Sequence, residues 1–310
     1  MIATELHIEN FRGIREGKLT DLADVNVLIG RNGSGKSTVG EAVLRVAMGQ
    51  LNVTDVAGRN LANLFAEQRH ESKEHPEARW FRSKLGPAIR LAVVMPDAQS
   101  QIVMCSLPGM PFRIVDKEID EHALWALGLF RPIEGSDREI EKHLWTRALL
   151  TRNDKLLIAV LNDVFGIGCE QIHKDGETIL LLFDSYGVPL DAQGEGVRTA
   201  LRSLLYVLSF TRGLLVLEEP ECHQHPASLQ KYARAVVTLA KERGVQLFVT
   251  TQSKTALMAF VDGAEAAKSS AMVHHLALQD GVLDVRAIAP DTLRGLEASG
   301  LDVQLLDQYA

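Results

Sequence analysis

Gly30-Arg31-Asn32-Gly33-Ser34-Gly35-Lys36-Ser37 fits the pattern G-x-x-x-x-G-K-[ST] without a mismatch. Glycines at that spacing let successive backbone N–H groups curl round phosphates, and a following helix N-terminus adds partial positive charge. Lys36 is expected to reach the β- and γ-phosphates of ATP, and the Ser37 hydroxyl, just before Thr38, to ligate Mg²⁺. Far downstream, Leu214-Leu215-Val216-Leu217-Glu218-Glu219-Pro220 ends an apolar run on two carboxylates. Glu218 is expected to hold Mg²⁺ directly or through water, and Glu219 to polarise an attacking water. An acidic pair closing a strand is often a solvated edge. Here it comes after a phosphate loop, which gives it a chemical reading.

Elements that can position these groups are visible around them. Ile2, Leu6 and Ile8 fit a first strand, and Val25, Val27, Leu28 and Ile29 a buried second one leading into the glycine loop. Val39, Ala42, Val43, Val46 and Ala47 recur at helical spacing behind it. Ile89–Met95 and Gln101–Leu107, parted by Pro96-Asp97, read as a β-hairpin, and residues 116–165 as mostly helical. Thr178–Asp184 predicts a buried strand, Val197–Phe210 and Leu229–Lys241 helices, and Leu214–Leu217 and Leu247–Thr250 short buried strands. Such alternation argues an α/β core with a largely parallel sheet. Residues 1–58 and 170–310 are read as that core, and 59–169 as an inserted β-hairpin and helical lobe.

Four stretches together carry a family resemblance: "LHIENFRGI", "GRNGSGKST", "LLVLEEPECHQHP" and "FVTTQS". The chain resembles the ABC-type ATPases of the RecF, SMC and OLD group, most of all the short OLD-like ATPases. The resemblance spans roughly residues 2–58 and 177–260. It implies an ABC-type P-loop NTPase head with an N-terminal antiparallel β element and a mostly helical insertion. It further implies a homodimer with ATP sandwiched between two heads, each completing the other's site with a signature loop. The matching stretch is Asp191-Ala192-Gln193-Gly194-Glu195-Gly196-Val197-Arg198, which departs from the usual Ser-Gly-Gly core. Gly194 and Gly196 can still offer backbone N–H groups to a γ-phosphate. Glu195 would be repelled by that phosphate if it faced inward, and otherwise acts as an acid in a helix's first turn. Asn10 and Arg12 resemble the Asn-Phe-Arg element that lies near the nucleotide in this group; a solvated turn is the other reading.

Gln252 stands where similar proteins carry the histidine of a Thr-His-Ser switch. Its amide can donate to a γ-phosphate oxygen but cannot carry positive charge. Slow turnover is one expectation, and a solvent-facing side chain the alternative. Cys222, His223 and His225 lie close together, yet their spacing matches no structural-zinc pattern and no second ligand pair accompanies them. Arg79-Trp80-Phe81-Arg82 with Lys84 can contact nucleic acid by charge and stacking, or form an ordinary amphipathic surface among nearby glutamates.

Composition narrows the function classes. The net charge of −7 and pI near 5.8 exclude a globally basic nucleic-acid binder, though not a local patch. No apolar run is long enough to span a membrane, and the N-terminus lacks a secretory signal, so a cytoplasmic protein is expected. Three separated cysteines suit a reducing compartment. No long heptad run provides an SMC-like arm. The stretch beyond Ser253 is too short for the Toprim nuclease of full-length OLD-like proteins, so any nuclease or effector is expected on a separate chain. The leading expectation is an ATPase head acting in DNA-linked processes such as phage defence or DNA maintenance. A second reading is an ATP-gated scaffold that holds an effector or toxin in check. A transporter ATPase fits poorly without a Ser-Gly-Gly signature.

Overall fold

The computed structural model describes residues 2–48, 89–96, 101–106, 113–117, 129–130, 144–146, 148–176, 178–209 and 212–308. The early strands are β1 (Glu5–Phe11), β2 (Ile14–Leu19), β3 (Val25–Ile29), β4 (Ile89–Val94), β5 (Gln101–Ser106), β6 (Arg113–Lys117) and β7 (Leu129–Phe130). Later come β8 (Gln171–Asp175), β9 (Thr178–Leu182), β10 (Gly187–Pro189), β11 (Gly213–Glu218), β12 (Val245–Thr250), β13 (Ala271–Gln279) and β14 (Val282–Ile288). Helices among the described residues include α1 (Lys36–Met48), α2 (Asp154–Phe165), α3 (Glu195–Ser209), α4 (Pro226–Arg243), α5 (Lys254–Ala266) and α6 (Pro290–Ala298).

Eleven strands form one sheet in the order β6-β5-β4-β1-β2-β14-β13-β3-β12-β11-β7. One half, β13-β3-β12-β11-β7, is wholly parallel. The strands β6-β5-β4-β1-β2 form an antiparallel block, and β14 bridges the two blocks, antiparallel to β13 and parallel to β2. Every residue of β3, β11 and β12 is buried. Helices on both faces explain these continuous apolar runs. Leu214 and Val216 turn towards α1, packing with Val39, Ala42 and Val43. Leu215 and Leu217 turn the other way, towards α3, α4 and α5. On α3, Leu201, Leu204, Leu205 and Leu208 are at most 3% exposed, as their spacing predicts. Each contributes about 1.5–3 kcal/mol of apolar burial.

The hairpin read at residues 89–107 is the antiparallel β4–β5 pair, which extends the main sheet through β1. Helix α2 falls within the stretch expected to be mostly helical, but Leu129–Phe130 in that stretch is a strand that pairs with β11. The apolar run at 178–184 forms β9, buried only at Ile179 and Leu181. It belongs to a separate antiparallel sheet, β10-β9-β8, which turns one face to the core. At the start of the parallel block, the side chain of Gln246, 1% exposed, ties distant segments together. It accepts from the Ile2 and Ala3 amides at 3.0 and 2.8 Å and donates to the Ala3 and Ala23 carbonyls at 2.9 and 2.7 Å.

Candidate functional site

Leu28, Thr250 and Glu218 lie in register across β3, β12 and β11. The chain therefore leaves three adjacent parallel strands at one edge, as the glycine loop, the 251–253 segment and the 219–225 turn. This is the carboxyl end of an open α/β sheet, where such folds bind ligands. Two backbone bonds fix the exits to each other: Glu219 N–H donates to the Thr250 carbonyl at 2.8 Å, and Thr251 N–H to the Leu28 carbonyl at 3.1 Å.

In the glycine loop, Gly30, Gly33 and Gly35 adopt φ of 140°, 80° and 95°. At Gly30 a Cβ would stand 2.3 Å from the Leu276 carbonyl oxygen, so no other residue fits there. Arg31, Asn32 and Gly33 are exposed at the tip, and Ser37 and Thr38 open α1 with Ser37 facing out. Lys36 is only 7% exposed. Its Nζ donates to the Gly30 and Arg31 carbonyls at 2.6 and 2.8 Å. Burial holds its ammonium below the usual lysine range, while the negative charge of Glu219 opposes the shift. Glu219 therefore acts on the lysine electrostatically across the site.

Glu218, 6% exposed, ends β11 inside the protein. Glu219 adopts φ of 44°, which turns the chain sharply and presents the two carboxylates differently. The Gln252 amide donates to Glu219 Oε1 at 2.9 Å. Gln252 is thus exposed and yet bonded to the carboxylate expected to activate water, a contact that neither reading of this residue anticipated. Glu221 and Thr251, to which the motifs assign no role, link the same two exits: the Thr251 hydroxyl donates to Glu221 Oε1 and accepts from Ser253 N–H at 2.9 Å. Burial pushes the Glu221 carboxyl up, against the Thr251 hydrogen bond.

The segment with Gly194 and Gly196 leads into α3 and docks on the 219–225 turn. Gln224 Nε2 donates to the Gly196 carbonyl at 2.8 Å, and a Cβ at Gly196 would sit 2.7 Å from the His223 carbonyl oxygen. Glu195 lies in the first turn of α3 and pairs with Arg198. Arg12, in the β1–β2 turn, is ion-paired at 2.7 Å with Glu41 of α1, which is 4% exposed. The first turn is thereby anchored to the helix behind the glycine loop. His225 caps α4, its Nδ1 accepting from Ala227 N–H at 3.2 Å. Among the described residues no group of three or more His, Cys, Asp and Glu side chains is disposed to hold a metal ion. The Arg79–Lys84 cluster lies outside the described residues.

The sequence profile of the AAA ATPase domain matches residues 1–74 and 118–255, more than half of the chain. The chain belongs to the AAA ATPase domain family. A Methanocaldococcus jannaschii protein, MJECL10, is 51% identical to this AAA ATPase domain over 43 residues, 14% of the chain; the matched stretch spans only 19% of that relative's length. Among solved structures, an Smc head bound to the C-winged helix domain of ScpA has a TM-score of 0.57 at 15% identity, covering 95% of this chain and 100% of its own. An Smc head with an extended coiled coil, bound to the C-terminal domain of ScpA from Pyrococcus furiosus, gives 0.57 at 13% identity over 96% of this chain and 99% of that one. The SMC head from Thermotoga maritima gives 0.53 at 12% identity over 93% and 99%. The AAA ATPase domain thus has the ABC-type P-loop NTPase fold of SMC heads, with a large curled mixed sheet. No helix among the described residues is long and apolar enough to cross a membrane.

Proposed function

We propose that this AAA ATPase domain is an ATP-hydrolysing head of OLD-like type that pairs with a second copy around ATP and acts in a DNA-linked process with a separate effector or nuclease chain. The observation that carries the reading is the Gln252–Glu219 hydrogen bond of 2.9 Å at the strand ends that also present Lys36 and Glu218. The glycine loop would receive the phosphates on its N–H groups, with Gly30, Arg31, Asn32, Gly33, Ser34, Gly35, Lys36, Ser37 and Thr38 lining it. Lys36 would exchange its two loop carbonyls for phosphate oxygens, trading neutral acceptors for charged ones. An oxygen-donor pair, the exposed Ser37 hydroxyl and the Glu218 carboxylate, suits Mg²⁺, which when bound would neutralise phosphate charge.

Glu219 would accept a proton from the attacking water, with Gln252 fixing its carboxylate orientation. Gly194 and Gly196, in the segment docked on the 219–225 turn, would serve the partner's nucleotide, so that neither site would be complete in a single copy. Arg12, held by Glu41, would border the nucleotide from the β1–β2 turn. The division into a core of 1–58 and 170–310 with an inserted lobe of 59–169 is part of this reading; the gap in the family match, 75–117, falls inside that lobe.

ATP binding, hydrolysis and molecular mass of wild type, Lys36→Ala and Glu219→Gln test it together. Lys36→Ala is expected to lose ATP binding, because the phosphates lose the loop's point charge. Glu219→Gln is expected to bind ATP, fail to hydrolyse it and accumulate as a dimer, since an amide cannot take the proton. Wild-type hydrolysis by Glu219→Gln, or a monomer under saturating ATP, would refute the mechanism or the pairing respectively.

A further inference from the structure

The peptide that carries Gln252 is held from an unexpected direction. Beyond α6 the chain makes a short 3₁₀ turn, Val303–Gln308, and Gln304 Nε2 donates to the Gln252 carbonyl at 3.0 Å. The turn is firmly seated: Val303 and, on α6, Leu293 are both 0% exposed in the main core, and Gln304 N–H donates to Asp302 Oδ1 at 3.0 Å. A second tie runs parallel to it, an ion pair between Lys254 and Glu297 of α6. The whole 290–308 stretch lies beyond the residues that match the AAA ATPase domain profile.

On one side of Gln252, the Thr251 amide is fixed to Leu28 at 3.1 Å. On the other, Ser253 caps α5 by accepting from Ala256 N–H at 3.3 Å. Between these anchors the Gln252 carbonyl takes its bond from Gln304, while the Gln252 side chain reaches Glu219. A relay thus runs from the 3₁₀ turn through one residue to the water-activating carboxylate. We infer that Gln304 is a positioning residue for ATP hydrolysis, holding Gln252 so that its amide orients Glu219. The inference rests on the hydrolytic roles proposed for Gln252 and Glu219.

Steady-state hydrolysis by wild type, Gln304→Glu, Gln252→Ala and the double variant tests it. Gln304→Glu keeps the shape but replaces the donor with a carboxylate that repels the carbonyl. It is expected to lower kcat about fivefold with KM for ATP nearly unchanged, the rate equivalent of one hydrogen bond's net worth. In the Gln252→Ala background the same substitution is expected to do nothing, because the relay is already broken. Equal losses in both backgrounds would make Gln304 a structural residue and overturn the inference. So would a fall in Gln252→Ala with wild-type rates in Gln304→Glu. Wild-type turnover in Gln252→Ala, or no hydrolysis by wild type, would instead overturn the roles beneath it and the inference with them.

Discussion

Replacing Gln252 with Glu changes one atom type and leaves the side chain's shape intact, so it probes the contact with Glu219 directly. In the wild type an amide N–H faces Glu219 Oε1 at 2.9 Å. The variant puts a second carboxylate oxygen there. Because Gln252 is exposed, a water-like dielectric applies, and two charges at 2.9 Å repel by about 1.4 kcal/mol. That is equivalent to about a tenfold change in rate. The repulsion drives the two carboxylates apart and takes Glu219 out of the orientation the amide holds, so kcat is expected to fall about tenfold. Gln252→Ala, which removes the donor without adding charge, should lose less. Single-turnover ATP hydrolysis at saturating nucleotide reads both. Equal rates for Gln252→Glu and wild type would refute the contact as a feature of the working site.

The same structure sets two further outcomes. His274, 0% exposed, has its pKa lowered to about 4 by burial, against the weak pull of Asp21. The unfolded chain therefore takes up a proton near pH 6.5 that the folded protein refuses until about 4, so stability is full above 6.5 and falls as the pH drops through that window. The total loss is about 3 kcal/mol, and urea unfolding at pH 7.5 and 4.5 should reveal it, with the slope flattened in His274→Met. At the glycine loop, Gly30→Ala forces a Cβ to 2.3 Å from a backbone oxygen, whereas Gly33→Ala meets nothing within 4 Å and bears only the strain of its φ of 80°. Gly33→Ala should cost about 1 kcal/mol, and Gly30→Ala several times more or the fold itself, by thermal melting.

The parts of the fold that could be read from residues are those where burial is complete. Strands β3, β11 and β12 are covered on both faces, so their sequences are unbroken apolar runs, and the glycine loop and the Glu218-Glu219 pair are attached to their ends. The same rule misled at Thr178–Asp184, where an apolar run forms a strand with one face turned outward. The β13–β14 hairpin carried a signal that was open to reading: Gln279-Asp280-Gly281-Val282 is a two-residue turn with φ of 49° and 80° at its centre, the geometry Asp-Gly favours. No local pattern could announce that Gln252 meets Glu219 or that Thr251 meets Glu221, because each pairing is created by β11 lying beside β12. Gln304 is more remote still, since its partner is a backbone carbonyl, which leaves no mark on residue type.

The sheet order also sets the time at which the glycine loop is held in place. β3, which ends in the glycine loop, is flanked by β12 and β13, and the Gln246 clasp closes on Ile2 across 244 positions. A nascent chain that has emerged through α1 already displays the whole phosphate-binding motif, but none of the neighbours that hold its strand. Closing so long a loop is slow, and parallel pairing offers no local hairpin as a shortcut. The strand that carries the glycine loop therefore gains its neighbours only when β12 and β13 arrive, late in the chain.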